Sequence, residues 1–455
     1  MSAMPEPVAP SPGERHLYPI LALALPLIGG HLAQFAVGMT DTVMIGWYGV
    51  AELAALVLAN SYHFTIFIMG SGFAWAVMPL VAAAAGTADD RQVRRVTRMG
   101  LWISILFGGA AMPLYLWSGP ILLALGQEPQ VAADAQGYLR IIAIGLIPSL
   151  LVMVLKSYLA ALGRTQVVFW VMLGMAVLNA LLNWALIFGN WGAPELGIRG
   201  AAIASVALQI AGLVALILYT RVATPDYALF QRFWRSDSDA LARVFRLGWP
   251  IGLTNLAEIG LFSASVFMMG WVGTTALAAH GIALSLASAT FMLHLGLSNA
   301  ATIRAGRAFG RRDERDLRDG AITIIALSFA IALLTVATFV TFPEPLVGLF
   351  LDPADPAASE IVALGATLLV LAALFQLADG AQVMALGLLR GVQDTKVPMI
   401  IAALSYWAVG IPTSYLLGFP MGWGATGIWA GLVLGLVLAG ALLMARFWAR
   451  SVRIA

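Results

Sequence analysis

Twelve long apolar stretches separated by short polar breaks dominate this sequence. They run roughly over residues 17–47, 53–85, 99–124, 136–161, 167–189, 198–220, 247–270, 276–303, 320–342, 361–389, 397–418 and 424–445. A helix needs about 20 such residues to cross the hydrocarbon core of a bilayer. Lipid offers no partner for backbone N–H and C=O groups, so only helices and closed barrels can span it. No ten-residue alternation of apolar and polar positions supports a barrel. Of the 455 residues, 61% are hydrophobic and 11% charged, whereas a soluble domain carries about 25% charged residues. The sequence therefore predicts an all-α integral membrane protein with twelve transmembrane helices.

Arginine placement predicts the orientation. One set of connections holds Arg91, Arg94, Arg95 and Arg98, then Arg164, then Arg221 to Arg246, then Arg304 to Arg318, and finally Arg390 and Lys396. Arg15 and Arg446, Arg450 and Arg453 lie on the same side. The opposite connections carry Glu128, Asp134, Glu195, Glu344, Asp352 and Asp355, with Arg199 almost alone among bases. Cytoplasmic loops are enriched in Lys and Arg, so both termini are expected in the cytoplasm. The polar, Pro-rich residues 1–15 are expected to form a disordered tail. Net charge is only +2 and the basic residues are dispersed, so no nucleic-acid surface is indicated. Cysteine is absent, which excludes disulfides and thiolate metal sites.

The two halves of the chain repeat one another. Pro26 falls on Pro250, an offset of 224, and the same offset carries Leu32-Ala33-Gln34 onto Leu256-Ala257-Glu258. It also carries Gly46-Trp47-Tyr48-Gly49 onto Gly270-Trp271-Val272-Gly273, and Gly86, Asp89, Arg91 and Arg94 onto Gly310, Asp313, Arg315 and Arg318. Chance matching of Ala and Leu does not reproduce the Gly-Trp-x-Gly turn or the loop charges. Six spans per half make the repeats parallel, related by an axis along the membrane normal. The expected domains are a first lobe (16–220), a basic cytoplasmic linker (221–246), a second lobe (247–446) and a C-terminal tail (447–455).

Chemistry is sought where the repeat breaks. Gln34 faces Glu258, and Asp41 faces Ser265. An acid at the centre of a membrane helix costs roughly 2.5–3.5 kcal/mol on insertion scales and is retained where it meets a partner or a water-filled cavity. Glu258 is 12 residues from Arg246 and Asp379 is 11 residues from Arg390. At about 1.5 Å per residue both lie roughly 17–18 Å from the basic edge, at one depth. Two acids at one level can share a cation or one proton, which suggests a secondary transporter; separately hydrogen-bonded packing residues are the other reading. Spacing leaves Asp41 as either a ligand or a solvated interfacial acid. Asn179 and Asn183 share one helical face, as ligands or as interhelical glue.

Met268, Phe291 and Met292, with Gln34, are candidates to line an adaptable cavity, or else simply pack helices. His31, His63, His280 and His294 show no metal-ligand spacing and are expected to be packed or interfacial. Trp47 and Trp271 suit an interfacial belt, and Lys156 is expected to snorkel toward the cytoplasm. Neither lysine follows a glycine, so no Walker A loop exists for ATP. There is no K⁺-channel filter motif, and no protease motif accompanies the acids.

These residues resemble the multidrug and toxic compound extrusion (MATE) transporters, and among them the NorM-like bacterial branch. The resemblance rests on Met39-Thr40-Asp41-Thr42-Val43-Met44-Ile45-Gly46, Asn255-Leu256-Ala257-Glu258, Ala378-Asp379-Gly380-Ala381-Gln382 with Leu389-Arg390-Gly391, and the Gly197–Ser205 stretch. It implies two six-helix lobes around a central cavity, and export of small cationic or amphipathic drugs driven by H⁺ or Na⁺ entry. Glu258 and Asp379 then match the cation site of the second lobe, and Asp41, Asn179, Asn183 and Ser205 that of the first. No cofactor is implied, and no metal beyond Na⁺. The expected setting is a monomer among lipids of the bacterial inner membrane. Two departures stand out: Phe375 replaces a frequent Tyr, and Asn183 replaces an acid of other branches. Both remove oxygen or charge and tilt the expectation toward H⁺, with Na⁺ left open. A lipid-linked oligosaccharide flippase of the same superfamily is the alternative; it would want basic residues deep in the cavity, for which only Arg140 and Lys156 are candidates. An intramembrane enzyme or a receptor-like binding protein is the reading from another class.

Overall fold

A computed structural model describes residues 12–351 and 356–453. The expected tail therefore falls largely outside the described residues, as do Asp352 and Asp355. Among the described residues, twelve helices are long and apolar enough to cross a membrane. They are α1 (Pro12–Tyr48), α2 (Val50–Gly86), α3 (Asp90–Leu116), α4 (Pro129–Ala161), α5 (Thr165–Phe188) and α6 (Ile198–Ala223). The second half supplies α7 (Ser238–Val272), α8 (Thr274–Arg311), α9 (Glu314–Thr341), α10 (Ala358–Gly391), α11 (Lys396–Gly418) and α12 (Gly424–Ser451). Several run well past the 20 residues a bilayer needs. The stretch over 99–124 divides, because α3 ends at Leu116 and a separate short helix, Ser118–Ala124, follows.

Local chemistry sets several of these ends. Asp89, Asp237 and Asp313 cap α3, α7 and α9, each accepting an N–H three residues on, which satisfies a donor that the first helical turn leaves free. Asp237 also receives the Arg95 guanidinium, one of whose bonds is 3.0 Å, tying the start of α7 back to α3. The connection between the halves is short: a 3-10 turn over Pro225–Tyr227 and a turn whose Leu229 and Gln231 carbonyls accept from Arg98.

The first six helices pack mainly on one another, as do the last six, and α1 and α2 meet α7 and α8 between them. These central crossings depend on small residues. A Cβ on Gly72 would overlap the backbone nitrogen of Gly252, and one on Gly310 would overlap the carbonyl of Ala83. Such contacts let helix backbones touch, as membrane interfaces require. Among the described residues, the polar, aromatic and glycine contacts joining the halves lie on the Arg-rich side or near mid-height. They include Phe73 stacked on Phe245, Arg307 donating to the Ala161 carbonyl at 2.8 Å, and His31 bonded to Asn299 at 2.8 Å. Residues 68–84 of α2 are nearly all buried, whereas exposed positions recur over residues 54–65. The halves are thus sealed toward the basic connections and part toward the acidic ones.

Candidate functional site

In the first half, α1 delivers Asp41 to a position where it is only 7% exposed. Asn179 and Asn183 stand one turn apart on α5, and both amides donate to the same carboxylate oxygen, Asp41 Oδ1, at 2.8 and 2.6 Å. Both Asn side chains are fully buried, and their own Oδ1 atoms have no hydrogen-bond partner. Asp41 is therefore a buried acid held by two donors, not a solvated interfacial one. Both amides present N–H to the carboxylate, and their carbonyl oxygens remain without partners. The result is one negative charge flanked by two unsatisfied oxygens, a donor set that suits a hard monovalent cation or a proton.

Tyr138 of α4 completes this cluster. It is buried, donates to Asn60 Oδ1 at 3.2 Å, and interacts with both Asp41 and the half-buried Ser205. Sequence reasoning passed over it, although the 224-residue offset sets it opposite Val362, the same kind of break that drew attention to Asp41.

In the second half, Asp379 on α10 is 2% exposed and interacts electrostatically with Glu258 on α7. Its Oδ1 has no donor. Glu258 is partly buried and lies in hydrogen-bonding range of Gln382, which also donates to the Tyr406 hydroxyl at 2.6 Å. Gln382 and Tyr406 are fully buried, and the Tyr406 backbone belongs to a π-helical segment, Leu404–Gly410, within α11. Such single-turn widenings often mark functional positions. Phe375, at the position where the resemblance puts a frequent Tyr, packs edge-on against Phe262 and Trp429.

Arg390 departs from its expected place. Grouped by sequence with the basic connections, it is 9% exposed and donates to Asn255 Oδ1 at 2.9 Å. Its guanidinium lies 5.1 Å from the ring centre of Trp75, across the junction, and acts electrostatically on Glu258. Long guanidinium groups can turn inward when they find an acceptor and an aromatic face. Lys156 departs in the same direction. It does not snorkel: it is 8% exposed, and its ammonium donates to Gln34 Oε1 at 3.1 Å. The neighbouring amide offers an acceptor closer than the polar edge of the membrane. Arg140, the other candidate for a deep base, is exposed and reaches the Leu116 carbonyl.

Among the cavity candidates, Gln34 is exposed and Phe291 and Met292 are half-buried. Met268 is 3% exposed and packed in the apolar core, so helix packing accounts for it. The four membrane histidines are all engaged: His31 with Asn299, His63 with Tyr115, His280 with Trp429, and His294 with Ser328. Trp47 and Trp271 are exposed as belt residues should be. Among the described residues, no His, Cys, Asp and Glu cluster suits a multivalent metal ion.

Two six-helix bundles, sealed at one end and each holding a buried acid cluster, define a multi-pass membrane transporter built on a repeat. The MatE family model matches residues 26–185 and 250–416, almost the same segment of each half. A protein of Agrobacterium fabrum named probable multidrug resistance protein NorM is 44% identical over 434 residues, covering 95% of this chain and 93% of the relative. One of the same name from Rhizobium meliloti is 45% identical over 436 residues, with the same coverage. The chain belongs to the MatE family. Solved structures agree in fold: an outward-facing multidrug resistance MATE transporter superimposes with a TM-score of 0.87 at 19% identity, over 97% of this chain and 96% of the other. The plant MATE transporter AtDTX14 superimposes at 0.85, also at 19% identity, over 97% and 98%.

Proposed function

We propose that this protein is a multidrug efflux transporter that exports small cationic amphipathic compounds in exchange for an incoming cation, H⁺ or Na⁺. The observation that carries the reading is Asp379, a buried carboxylate beside Glu258 with an oxygen that no protein donor satisfies. A carboxylate so placed is stable only when it holds a proton or a cation. In the open cleft a cationic drug competes for the same negative charge. Loading one ligand therefore favours release of the other, which is the requirement for exchange. Asp41, with Asn179, Asn183, Tyr138 and Ser205, is the second cation site, and its two unpaired amide oxygens support that role.

The positive-inside bias sets the Arg-rich connections and both termini in the cytoplasm of a bacterial inner membrane. The cleft then opens outward, and the glycine-lined crossings of α2 with α7 and α8 form the cytoplasmic seal. A protomer holds both acid clusters and both lobes, so a monomer surrounded by lipid suffices, and no nucleic-acid partner or cofactor is called for.

The test is ethidium efflux from proteoliposomes under an imposed Na⁺ gradient and, separately, a pH gradient, with Asp379→Asn beside the native protein. Flux that follows one gradient and disappears in the variant supports the proposal and names the ion. Flux indifferent to both gradients, or undiminished in Asp379→Asn, refutes it.

A further inference from the structure

The turn that opens α5 recurs before α11 at an offset of 230 residues. Gly163 and Gln393 take positive φ angles of 84° and 63°, and their N–H groups return to the carbonyls of Ala160 and Arg390. The next N–H groups, of Arg164 and Asp394, bond to Leu159 and Leu389. Thr165 and Thr395 follow at matching places, then Gln166 and Lys396. In the first half this corner is closed, because the Thr165 hydroxyl donates to the Ala22 carbonyl at 3.4 Å. In the second half Arg246 matches Ala22 at the 224-residue offset, and Lys396 matches Gln166. A cavity of about 300 Å³ opens there, lined by Arg243, Arg246, Asp394, Thr395 and Lys396, with Leu80 of α2 beside them.

The polar groups of this cavity want an anion. Asp394, the acid in its lining, already receives the Arg446 guanidinium at 2.7 Å and the Ser451 hydroxyl at 2.9 Å. Arg246 and Lys396 are exposed and join no ion pair among the described residues, while Arg243 faces the neutral Gln92 amide of α3. Thr395 is only 5% exposed, yet its hydroxyl has no hydrogen-bond partner among the described residues. It stands at the start of α11, where free N–H groups and the helix dipole favour negative charge. Beyond the bases the surface turns apolar. Val397, Ile400, Leu404 and Trp407, three or four residues apart on α11, are all exposed, and Trp407 Nε1 donates to the Ala257 carbonyl of α7 at 3.1 Å. An apolar stripe thus runs along the meeting of α7 and α11 from the point where the bases end.

We propose that this cavity binds the phosphodiester headgroup of an anionic phospholipid, held by Arg246, Lys396 and the Thr395 hydroxyl, with an acyl chain laid along the α11 stripe. Basic pockets between membrane helices take anionic headgroups in this way. A free phosphate would use the bases alone, whereas a phospholipid uses the bases and the stripe together. Arg246 is 12 residues from Glu258 on the same helix, so the site lies about 18 Å from the acid pair and does not depend on what the protein carries.

The test titrates the purified full-length protein, immobilised in detergent, with phosphatidylglycerol labelled on one acyl chain with nitrobenzoxadiazole. Retained fluorescence gives an apparent Kd, and phosphatidylcholine with the same labelled chain is the comparison. The native protein should retain phosphatidylglycerol in preference to phosphatidylcholine. Arg246→Gln and Lys396→Gln should each raise the Kd for phosphatidylglycerol about fivefold, and the double variant by more than about tenfold. Thr395→Val, which changes no charge, should raise it about tenfold. Arg315→Gln alters an exposed base outside the cavity and should leave it unchanged. Elution as a single monodisperse peak shows that each variant is folded. Equal retention of the two lipids, a Kd unmoved by the double variant or by Thr395→Val, or an equal loss in Arg315→Gln would overturn the site. Displacement of the lipid by sodium phosphate, beyond that caused by sodium chloride at the same ionic strength, would overturn the phospholipid in favour of a free phosphate.

Discussion

The Asp41 cluster allows a prediction in which stability and coupling separate. Asp41 Oδ1 accepts from Asn179 at 2.8 Å and from Asn183 at 2.6 Å. Asp41→Asn keeps an acceptor in that place. Its new N–H groups can turn to the Asn179 and Asn183 carbonyl oxygens, which lack partners, so the cluster can re-form without a charge. Asp41→Leu offers nothing to either amide. A single interhelical hydrogen bond in a bilayer contributes about 0.6 kcal/mol on average and about 1.7 at most. Orphaning a buried amide donor costs about 1–3 kcal/mol in soluble proteins. Two bonds judged on the membrane scale give a loss of about 1–3 kcal/mol for Asp41→Leu, against little for Asp41→Asn. In a thermal-shift assay of purified protein, Asp41→Leu should therefore melt below Asp41→Asn, with the native protein closer to the latter. Gradient-driven dye efflux should fall in both, because both lack the charge. Equal melting of the two variants would show that the amides do not depend on this oxygen. Normal efflux in Asp41→Asn would show that the charge is not used.

Other residues give further expectations. Arg390→Leu removes the base facing Glu258 and should lower the melting temperature more than Arg390→Lys, since breaking one partner of a buried ionic group costs about 3–5 kcal/mol; equal melting of the two would contradict this. Gly72→Val should hold the seal on the Arg-rich side apart, because its Cβ has no room against Gly252. Labelling of Ala82→Cys from the Arg-rich face, in this otherwise cysteine-free chain, should then rise, and unchanged labelling would count against the seal. Arg95 holds the Asp237 carboxyl well below the usual carboxylate range, at about 2, with the bond to Ala240 N–H adding to the effect. Because the folded value lies below the unfolded one, its stabilisation is complete above about pH 4 and is lost as pH falls toward 2. The melting gap between native protein and Asp237→Asn should follow that course, and a gap that stays at its full size down to pH 2 would refute it.

Much of this architecture was legible because the bilayer restricts the alternatives. Length and hydropathy located the twelve spans, and the fixed offset between halves exposed Gln34, Asp41 and Glu258 as breaks in a repeat. The one-turn spacing of Asn179 and Asn183 put them on one face, and the structure turns that face to Asp41. What stayed hidden was direction around the helix axis. Lys156 and Arg390 were assigned by their distance from a helix end, which says how far a side chain can reach and not which neighbour it meets. Gln34, Asn255 and Trp75 decide that, and they come from other helices. Met268 illustrates the same ambiguity among apolar residues, since a methionine facing a cavity and one facing a core look alike in sequence. Tyr406 depends on the π-helical turn of α11, which rotates side chains off the regular helical register and leaves no periodic signal.

Exchange of drug for cation is tested most directly in its reciprocal form. Proteoliposomes are loaded with ethidium, with H⁺ and Na⁺ equal on both sides, and the outward dye gradient is the only driving force. Pyranine reports internal pH, and a Na⁺-sensitive dye reports Na⁺ in a parallel preparation. In the native protein, dye exit should draw one of the two ions inward, and Asp379→Asn should abolish that ion movement. Dye exit with neither ion entering would contradict the account.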